Sequence, residues 1–386
     1  MAVDLKRRTH HNPTTTEQRI PRHRLLYPTP RLPPAAPPPP PPPATPPPPP
    51  PASMPPPPAA ISTALRTLYN KECATAAAKR RKAESMQANV AKLSAVISQL
   101  RPRLMPHDIP IITLDGDLTV EALQKLLTNE CCAVHVRGFL DAMTCSKIAA
   151  RLHEHSNDFS NWKLNKVEAE SANVVTEVDK IGVTSGNALD SLELFAEYLS
   201  PSSPTRLDAL LPGSLNPFEK LRSTLNAVHT HGCRINELGG WPQPAGTFRR
   251  MRTSKGLIHA DTATLLQREQ GQFSANMYVQ TPSGRGALSV YPAQQYAGED
   301  GSAPAELAMN LQTLAMKQES GFDAKAQEDL RAALPLQRTM HVEDGDLCLI
   351  NTGRFHRVEP YSDPTLRLSG QCWISYKRGH ALRLWV

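Results

Sequence analysis

The chain has 386 residues, with 43 Lys and Arg, 36 Asp and Glu, and 38 prolines. Residues 1–60 hold 23 of these prolines and +5 of the formal net charge of +7. The remainder carries only +2, which gives no electrostatic reason to expect a nucleic-acid partner. No apolar run approaches the roughly 18 to 20 residues needed to cross a bilayer, so no membrane partner is expected either.

Residues 1–60 are predicted to be a disordered or polyproline-II tail, because runs of proline cannot form helix or sheet ladders. A tail of this kind suits SH3-like or profilin-like partners. It is basic and poor in acidic residues, so an organelle transit peptide is the alternative to the cytoplasmic location that we predict. The basic run 79–82 leaves a nuclear location as a weaker alternative, since such a run on a helix is usually a solvated face.

The seven cysteines are scattered, odd in number and without a Cys-x-x-Cys pair. This pattern argues against a disulfide framework and against a structural zinc site. A reducing compartment is the simplest interpretation, and the oligomeric state is left open.

The tail is followed by a predicted N-terminal helical segment, residues 61–105, and a predicted domain of residues 106–386. An apolar stripe at 3-4-3 spacing marks the helical segment, formed by Val90, Leu93, Ile97 and Leu100. Residues 110–155 are predicted to run strand, helix, strand, helix, with Asp117 and Asp141 as the residues that open the two helices. Further helices are expected at 191–198 and 217–228, and a short strand at 173–178.

The predicted catalytic core, residues 246–380, is mostly strands. Residues 246–252 are extended, and residues 273–280 alternate, with Ser274, Asn276 and Tyr278 on the polar face. Residues 284–292 are predicted to pair with that strand through the turn at 282–286. Helical periodicity at 303–335 suggests a lid or substrate wall. Strands are then expected at 341–351, 354–360 and 366–376.

His259 and Asp261 lie two residues apart on an extended segment, so their side chains point the same way. A metal shared by this pair needs a third ligand, and His356 is the candidate that the later sequence offers. Two imidazoles and one carboxylate with open positions form the facial triad of non-haem Fe(II) oxygenases. The other histidine pairs, His153 with His155 and His229 with His231, are predicted to be helix-terminal or structural residues instead.

Four features together resemble the 2-oxoglutarate and Fe(II)-dependent oxygenases. They are His259-x-Asp261, His356 97 residues after His259, a Gly-Asp-Leu turn before His356, and Arg367 eleven residues after it. The resemblance implies an α+β fold, with a double-stranded β-helix (jelly-roll) core and flanking helices.

The resemblance also implies roles for individual residues. His259, Asp261 and His356 would bind Fe(II), and Arg367 would pair with the distal carboxylate of 2-oxoglutarate, since a guanidinium offers two parallel donors. Ser369 and Tyr278 would add hydroxyl donors to that carboxylate. Asn276 would contact the cosubstrate or the substrate.

The implied reaction consumes O2 and 2-oxoglutarate and releases succinate and CO2, with ascorbate as an optional reductant. Hydroxylation or desaturation is favoured over halogenation, because halogenases of this type replace the carboxylate that Asp261 supplies. One of Arg249, Arg250 and Arg252 would suit a substrate carboxylate, so a small-molecule substrate such as an amino acid or another small carboxylic acid is predicted.

Two alternatives stay open at this stage. One is a non-catalytic jelly-roll interaction protein that docks partners through its proline-rich tail. The other is a prolyl-type protein hydroxylase, which the arginine at position 367 disfavours, because such enzymes commonly have lysine there.

Overall fold

The computed structural model describes residues 63–87, 109–156, 159–162, 178–181, 185, 188–200, 207–254, 256–259, 270–294, 327, 328, 331, 332, 334 and 337–386. The proline-rich tail, the stripe from Val90 to Leu100 and most of the segment 303–335 lie outside the described residues, so their structures stay predictions. Among the described residues, no helix combines the length and the apolar character that crossing a membrane requires.

Six α-helices are described: α1 (Thr63–Gln87), α2 (Val120–Leu127), α3 (Ala142–Glu154), α4 (Leu192–Leu199), α5 (Leu207–Leu210) and α6 (Pro217–Val228). The strands in the first half are β1 (Ile111–Asp115), β2 (Ala133–Arg137), β3 (Phe159–Trp162), β4 (Val178–Ile181), β5 (Cys233–Ile235), β6 (Glu237–Leu238) and β7 (Trp241–Pro242). The strands in the second half are β8 (Thr247–Ser254), β9 (Gln270–Gln280), β10 (Leu288–Gln294), β11 (Arg338–Met340), β12 (Leu347–Asn351), β13 (Arg354–Val358), β14 (Tyr361–Lys377) and β15 (Leu382–Trp385).

The starts of α2 and α3 test the predicted helix caps. Asp141 caps α3 as predicted, with its side chain accepting a hydrogen bond from the Thr144 amide. Helix α2 is capped by Thr119, whose hydroxyl accepts from the Ala122 amide, so the prediction of Asp117 is wrong. A capping side chain must reach the second or third helical amide, and Asp117 lies two residues too early to do so.

Ten strands form a large, mostly antiparallel sheet in the order β1-β2-β12-β9-β14-β8-β4-β3, with β15 added beside β14 and β5 beside β15. A second sheet has the order β11-β10-β13. The predicted hairpin between residues 273–280 and 284–292 is therefore wrong, since β9 pairs with β12 and β14 while β10 belongs to the other sheet. The reason is burial. Leu288 and Val290 belong to the same core cluster as Tyr278, so β10 packs face to face against β9 and does not pair with it edge to edge.

The two faces of the large sheet bury different partners. On the outer face, Phe248, Ala275 and Met277 belong to the main apolar core, which also contains Ile148 of α3 and Phe218 of α6. On the inner face, Tyr278, Cys348 and Ile350 share a second core cluster with Leu288, Val290 and Met340 of the small sheet. The molecule is thus an α+β structure, with helices on one face of the large sheet and the small sheet on the other.

Candidate active site

His259 and His356 lie side by side, although 97 residues separate them in the chain. Their backbones form an isolated antiparallel bridge, in which the His259 amide donates to the His356 carbonyl at 3.0 Å and the His356 amide donates back at 2.8 Å. The centroids of the two imidazole rings are 4.4 Å apart. These two backbone hydrogen bonds therefore hold His259 and His356 side by side, with their rings adjacent.

The hydrogen bonds of the two rings select the tautomer that metals require. Nδ1 of His259 lies 3.0 Å from the carbonyl oxygen of Leu257, and Nδ1 of His356 lies 2.9 Å from that of Arg354. A carbonyl oxygen can only accept, so Nδ1 carries a proton in each ring, and in the neutral imidazole this leaves the lone pair on Nε2. Metal-binding histidines are oriented in the same manner, with the second ring nitrogen donating to a backbone carbonyl or carboxylate.

Asp261, the predicted third ligand, lies outside the described residues. Within the part of the chain that the structure describes, no group of three His, Cys, Asp or Glu side chains is placed to hold a metal. The structure therefore brings together two of the three predicted ligands, and the third stays a prediction.

The segment that leads to His259 is fixed by its neighbours. Gly256 has a φ of +72°, and a Cβ atom there would lie 2.7 Å from Cγ of Pro360, so the turn requires glycine. The side-chain amide of Gln327 makes two hydrogen bonds to the backbone of Ile258. Its Oε1 accepts from the Ile258 amide at 2.9 Å, and its Nε2 donates to the Ile258 carbonyl at 3.1 Å. These contacts set the backbone one residue before the first imidazole.

The predicted cosubstrate residues share the inner face of the large sheet. Ser369 of β14 is paired with Tyr278 of β9 on one side and with Arg249 of β8 on the other. Arg367 precedes Ser369 by two residues, and side chains two residues apart on a strand lie on the same face. Asn276 is half-buried, and its amide donates to the Ser274 hydroxyl at 3.2 Å.

Arg367 is a buried cation, with only 4% of its surface exposed. Its guanidinium carbon lies 4.9 Å from the centre of the Tyr278 ring, and Nη1 lies 4.0 Å from the sulfur of Met251. Nε is buried without a hydrogen-bond partner, and no ion pair to Arg367 occurs among the described side chains. A buried charge without a counter-ion is unfavourable, so the geometry fits an anion that binds from outside.

The phenol of Tyr278 is a second buried donor beside Arg367. Its hydroxyl is completely buried and has no hydrogen-bond partner among the described residues. Burial raises the pKa of the phenol, and the nearby Cys348 adds to this effect while Arg367 opposes it. Tyr278 therefore remains an O–H donor at neutral pH, next to a guanidinium. Two adjacent donors of this kind match the two oxygens of a carboxylate.

The other histidine pairs lie elsewhere. His153 is exposed, and its Nε2 lies 3.2 Å from the side-chain oxygen of Gln280. His229 and His231 have ring centroids 5.8 Å apart and line a surface cleft of about 600 Å³ between α2, α6 and the end of β14. No third ligand joins either pair in the described ranges.

Comparisons with known proteins give structural similarities at low identity. No family model and no curated protein matches the chain. One similar solved structure is the N-substituted L-amino acid dioxygenase from Burkholderia ambifaria AMMD, at 12% identity and a TM-score of 0.42, covering 69% of this chain and 91% of that chain. That dioxygenase has also been solved in complex with α-ketoglutarate.

Two further solved structures are also similar to the chain. HygX from Streptomyces hygroscopicus, with nickel and 2-oxoglutarate bound, has 16% identity and a TM-score of 0.34, covering 68% of this chain and 88% of that chain. A Pseudomonas putida prolyl-4-hydroxylase has 13% identity and a TM-score of 0.32, covering 68% and 99%. Every one of these TM-scores is below 0.5, so the function is inferred from the residues of the site.

Two buried polar features near the site were not predicted from the sequence. Gln371 is 4% exposed on the inner face, and its Oε1 has no described partner. His135 and Asp346 form a buried pair, with Nε2 of His135 and Oδ2 of Asp346 2.7 Å apart. The available signal was a polar residue inside an apolar strand, as in Ala-Val-His-Val at 133–136, which marks a buried polar contact.

Proposed function

We propose that the chain is an Fe(II)- and 2-oxoglutarate-dependent dioxygenase with a double-stranded β-helix core. One observation carries this proposal: on the inner face of the large sheet, donor atoms of buried Arg367 and Tyr278 have no partner among the described residues. His356 lies on the strand opposite, paired with Val290, which belongs to the same core cluster as Tyr278. A carboxylate-binding pair and a histidine pair thus line one interior.

The residues fit the two groups that such an enzyme needs. His259 and His356 would bind the metal through Nε2, and Asp261 would supply the carboxylate that completes a facial triad. Arg367 and Tyr278 would bind the distal carboxylate of 2-oxoglutarate, assisted by Ser369, which is paired with Tyr278 in the sheet. Bound iron and 2-oxoglutarate would supply the oxidising chemistry, coupled to decarboxylation of the keto acid to succinate.

The protein's own contribution is orientation and exclusion of water. The His259–His356 bridge fixes both rings, and each Nδ1–H bond to a carbonyl keeps the lone pair on Nε2. The burial of Arg367 strengthens its attraction for a carboxylate, because the interior screens charges less than water does.

The substrate proposed is a small carboxylic acid or amino acid that is hydroxylated or desaturated. Of the three neighbouring arginines, Arg249 is paired with Ser369 and so lies on the inner face. Arg250 lies on the opposite face and donates to the Ser156 carbonyl at 3.4 Å, and Arg252 is exposed. Arg249 is therefore the arginine placed to meet a substrate carboxylate.

The test is succinate formation by the full-length protein with Fe(II), 2-oxoglutarate and O2, over a panel of amino acids and small carboxylic acids. We expect succinate to form together with a product heavier by one oxygen or lighter by two hydrogens. His259→Ala and His356→Ala should each lose stoichiometric iron, whereas His231→Ala, from the histidine pair outside the site, should keep it. Unchanged succinate release in His259→Ala, or a wild-type protein that binds no iron, would remove the basis of the proposal and favour the interaction protein.

A further inference from the structure

A buried His135–Asp346 pair lies at the turn between β11 and β12. His135 is 5% exposed and Asp346 is 3% exposed. Nε2 of His135 donates to Oδ2 of Asp346 at 2.7 Å. The same carboxylate accepts from the Gly138 amide and from the Glu343 amide, both at 3.0 Å. Asp346 thus ties strand β2, the loop after it and its own turn into one unit.

The carboxylate of Asp346 is held in its ionised form. Burial opposes ionisation, but the hydrogen bonds from His135 and from the two backbone amides outweigh it and lower the pKa of Asp346. Charge-assisted hydrogen bonds of this type are roughly twice as strong as neutral ones. The turn is therefore more rigid than one held by backbone contacts alone.

This turn holds the backbone of Tyr278. The Tyr278 amide donates to the Asp346 carbonyl at 2.9 Å, and the Gly345 amide donates to the Tyr278 carbonyl at 2.8 Å. The regular pairing of β9 with β12 starts one residue earlier, at Met277 and Leu347. On the other side of Tyr278, the register between β9 and β14 shifts at Val279. Tyr278 thus lies next to an irregularity in the β9–β14 ladder, and the turn adds two backbone hydrogen bonds to its pairing with Ser369.

The backbone conformation of this turn requires glycine at position 345. Its φ is +94°, and a Cβ atom there would lie 2.3 Å from the carbonyl oxygen of Leu140. The turn can therefore approach the loop that follows β2 closely only with glycine at this position.

We propose that His135 and Asp346 are positioning residues for recognition of 2-oxoglutarate, acting through the Gly345–Asp346 backbone to set the Tyr278 hydroxyl beside Arg367. This inference rests on the proposed function. Both residues lie outside the set that holds the metal, so their loss should change the binding of the keto acid and leave iron binding intact.

The test compares His135→Leu with His135→Gln. Glutamine places an amide nitrogen near the position of Nε2, so it keeps the hydrogen bond that leucine removes. We expect His135→Leu to raise the KM and Kd for 2-oxoglutarate about tenfold, the effect of losing one hydrogen bond in the site, with kcat at saturation within about twofold of wild type. His135→Gln should stay within about threefold. The Kd is measured by titration calorimetry on protein loaded with Mn(II), without turnover.

Two further variants separate positioning from general stability. Gln243→Leu removes a different buried hydrogen bond, that between Nε2 of Gln243 and the Tyr198 hydroxyl at 2.8 Å, and should leave the Kd for 2-oxoglutarate unchanged. In a Tyr278→Phe background, His135→Leu should cause no additional loss of affinity, because both substitutions act on the same hydroxyl. Should His135→Leu fail to fold, Asp346→Asn replaces it and should also raise the Kd about tenfold.

The outcomes distinguish the two levels of inference. A folded His135→Leu or Asp346→Asn protein with the wild-type Kd overturns the positioning role. Additive losses in the Tyr278→Phe background would also overturn it. A wild-type protein that binds Mn(II) but no 2-oxoglutarate would instead reject the proposed function itself.

Discussion

The two faces of the large sheet differ in how completely their buried atoms are satisfied. On the outer face, Phe218 and Phe248 are fully buried and meet edge to face, with ring centroids 5.7 Å apart. On the inner face, Arg367, Tyr278 and Gln371 are just as buried, yet each carries a polar atom without a partner among the described residues. The outer face packs apolar side chains, whereas the inner face keeps buried polar atoms whose partners are not among the described residues.

This difference follows from the period of the strand. Alternate residues of β9 and β14 enter different environments, so one sequence can place apolar side chains against the helices and polar ones in the interior. Unsatisfied buried polar atoms lower the stability of the empty protein. Binding of a carboxylate would offset that cost, and the folded state would be stabilised by its ligand.

The largest effect is expected on the outer face, from Phe218→Ala. A Cβ atom on Gly246 would lie 2.1 Å from the Phe218 ring, so the ring fills the space that this glycine leaves. Its loss should lower the free energy of unfolding by about 3–5 kcal/mol, measured by denaturant titration. The exposed Met143→Ala is the control and should cost little. If Phe218→Ala instead weakens the binding of 2-oxoglutarate to the folded protein, the two faces are not separable.

Arg367→Ala is the matching change on the inner face. We expect the KM for 2-oxoglutarate to rise about 100-fold, since hydrogen bonds to charged groups contribute about 1.5–3 kcal/mol. The free energy of unfolding should change little, because the substitution removes both packing and a buried charge that has no counter-ion among the described side chains. Steady-state kinetics and denaturant titration measure the two quantities, with the exposed Arg252→Ala as control. A large loss of stability without a change in KM would contradict this role.

The sequence predicted the inner face well, for a physical reason. Alternation alone placed Tyr278 opposite Ala275 and Met277, and it placed Arg367 and Ser369 on one side of their strand, as the register shows. The alternation of side chains along a strand is a local property, so it holds even where the predicted partner strand is wrong. Alternation left open which of Arg249, Arg250 and Arg252 faces inward, and the register with Ser369 assigns Arg249 to the inner face.

Features that depend on distant contacts were harder to predict. The wrong hairpin between β9 and β10 came from a local turn signal, while the true partners of β9 are β12 and β14. His135 was not recognised, because its partner Asp346 is 211 residues away. His356 was predicted as a partner of His259 from metal-ligand chemistry and a family resemblance, because spacing alone does not set a contact across 97 residues. Local sequence patterns predict which side chains share a strand face, but they do not predict which distant residues that face contacts.

Asp346→Asn tests a buried carboxylate whose two oxygens both accept hydrogen bonds. The pKa of Asp346 is lowered in the folded state, so its contribution to stability is present above the unfolded carboxyl pKa of about 3.9 and is lost as the pH falls through the lower folded value. The variant should therefore be about 1–3 kcal/mol less stable than wild type at pH 7, and the difference should shrink below about pH 4.

The control for this experiment is Asp115→Asn. Asp115 forms an exposed ion pair with Arg137, with side-chain exposures of 79% and 58%. Exposed pairs contribute between about 0 and 1 kcal/mol, so this variant should differ little from wild type. A stability difference for Asp346→Asn that stays constant from pH 7 to pH 3 would show that its ionisation does not matter.

The smallest effect is expected from Tyr278→Phe, and it separates the two faces most sharply. The substitution removes one buried hydroxyl without a described partner and keeps the ring against Arg367. The empty protein should be as stable as wild type or up to about 1 kcal/mol more stable, since an unsatisfied buried group is lost. The Kd for 2-oxoglutarate should nevertheless rise about tenfold, because one donor to its carboxylate is gone. Opposite changes in stability and affinity are the mark of a group kept for a ligand, so a loss of stability with unchanged affinity would assign Tyr278 to the core instead.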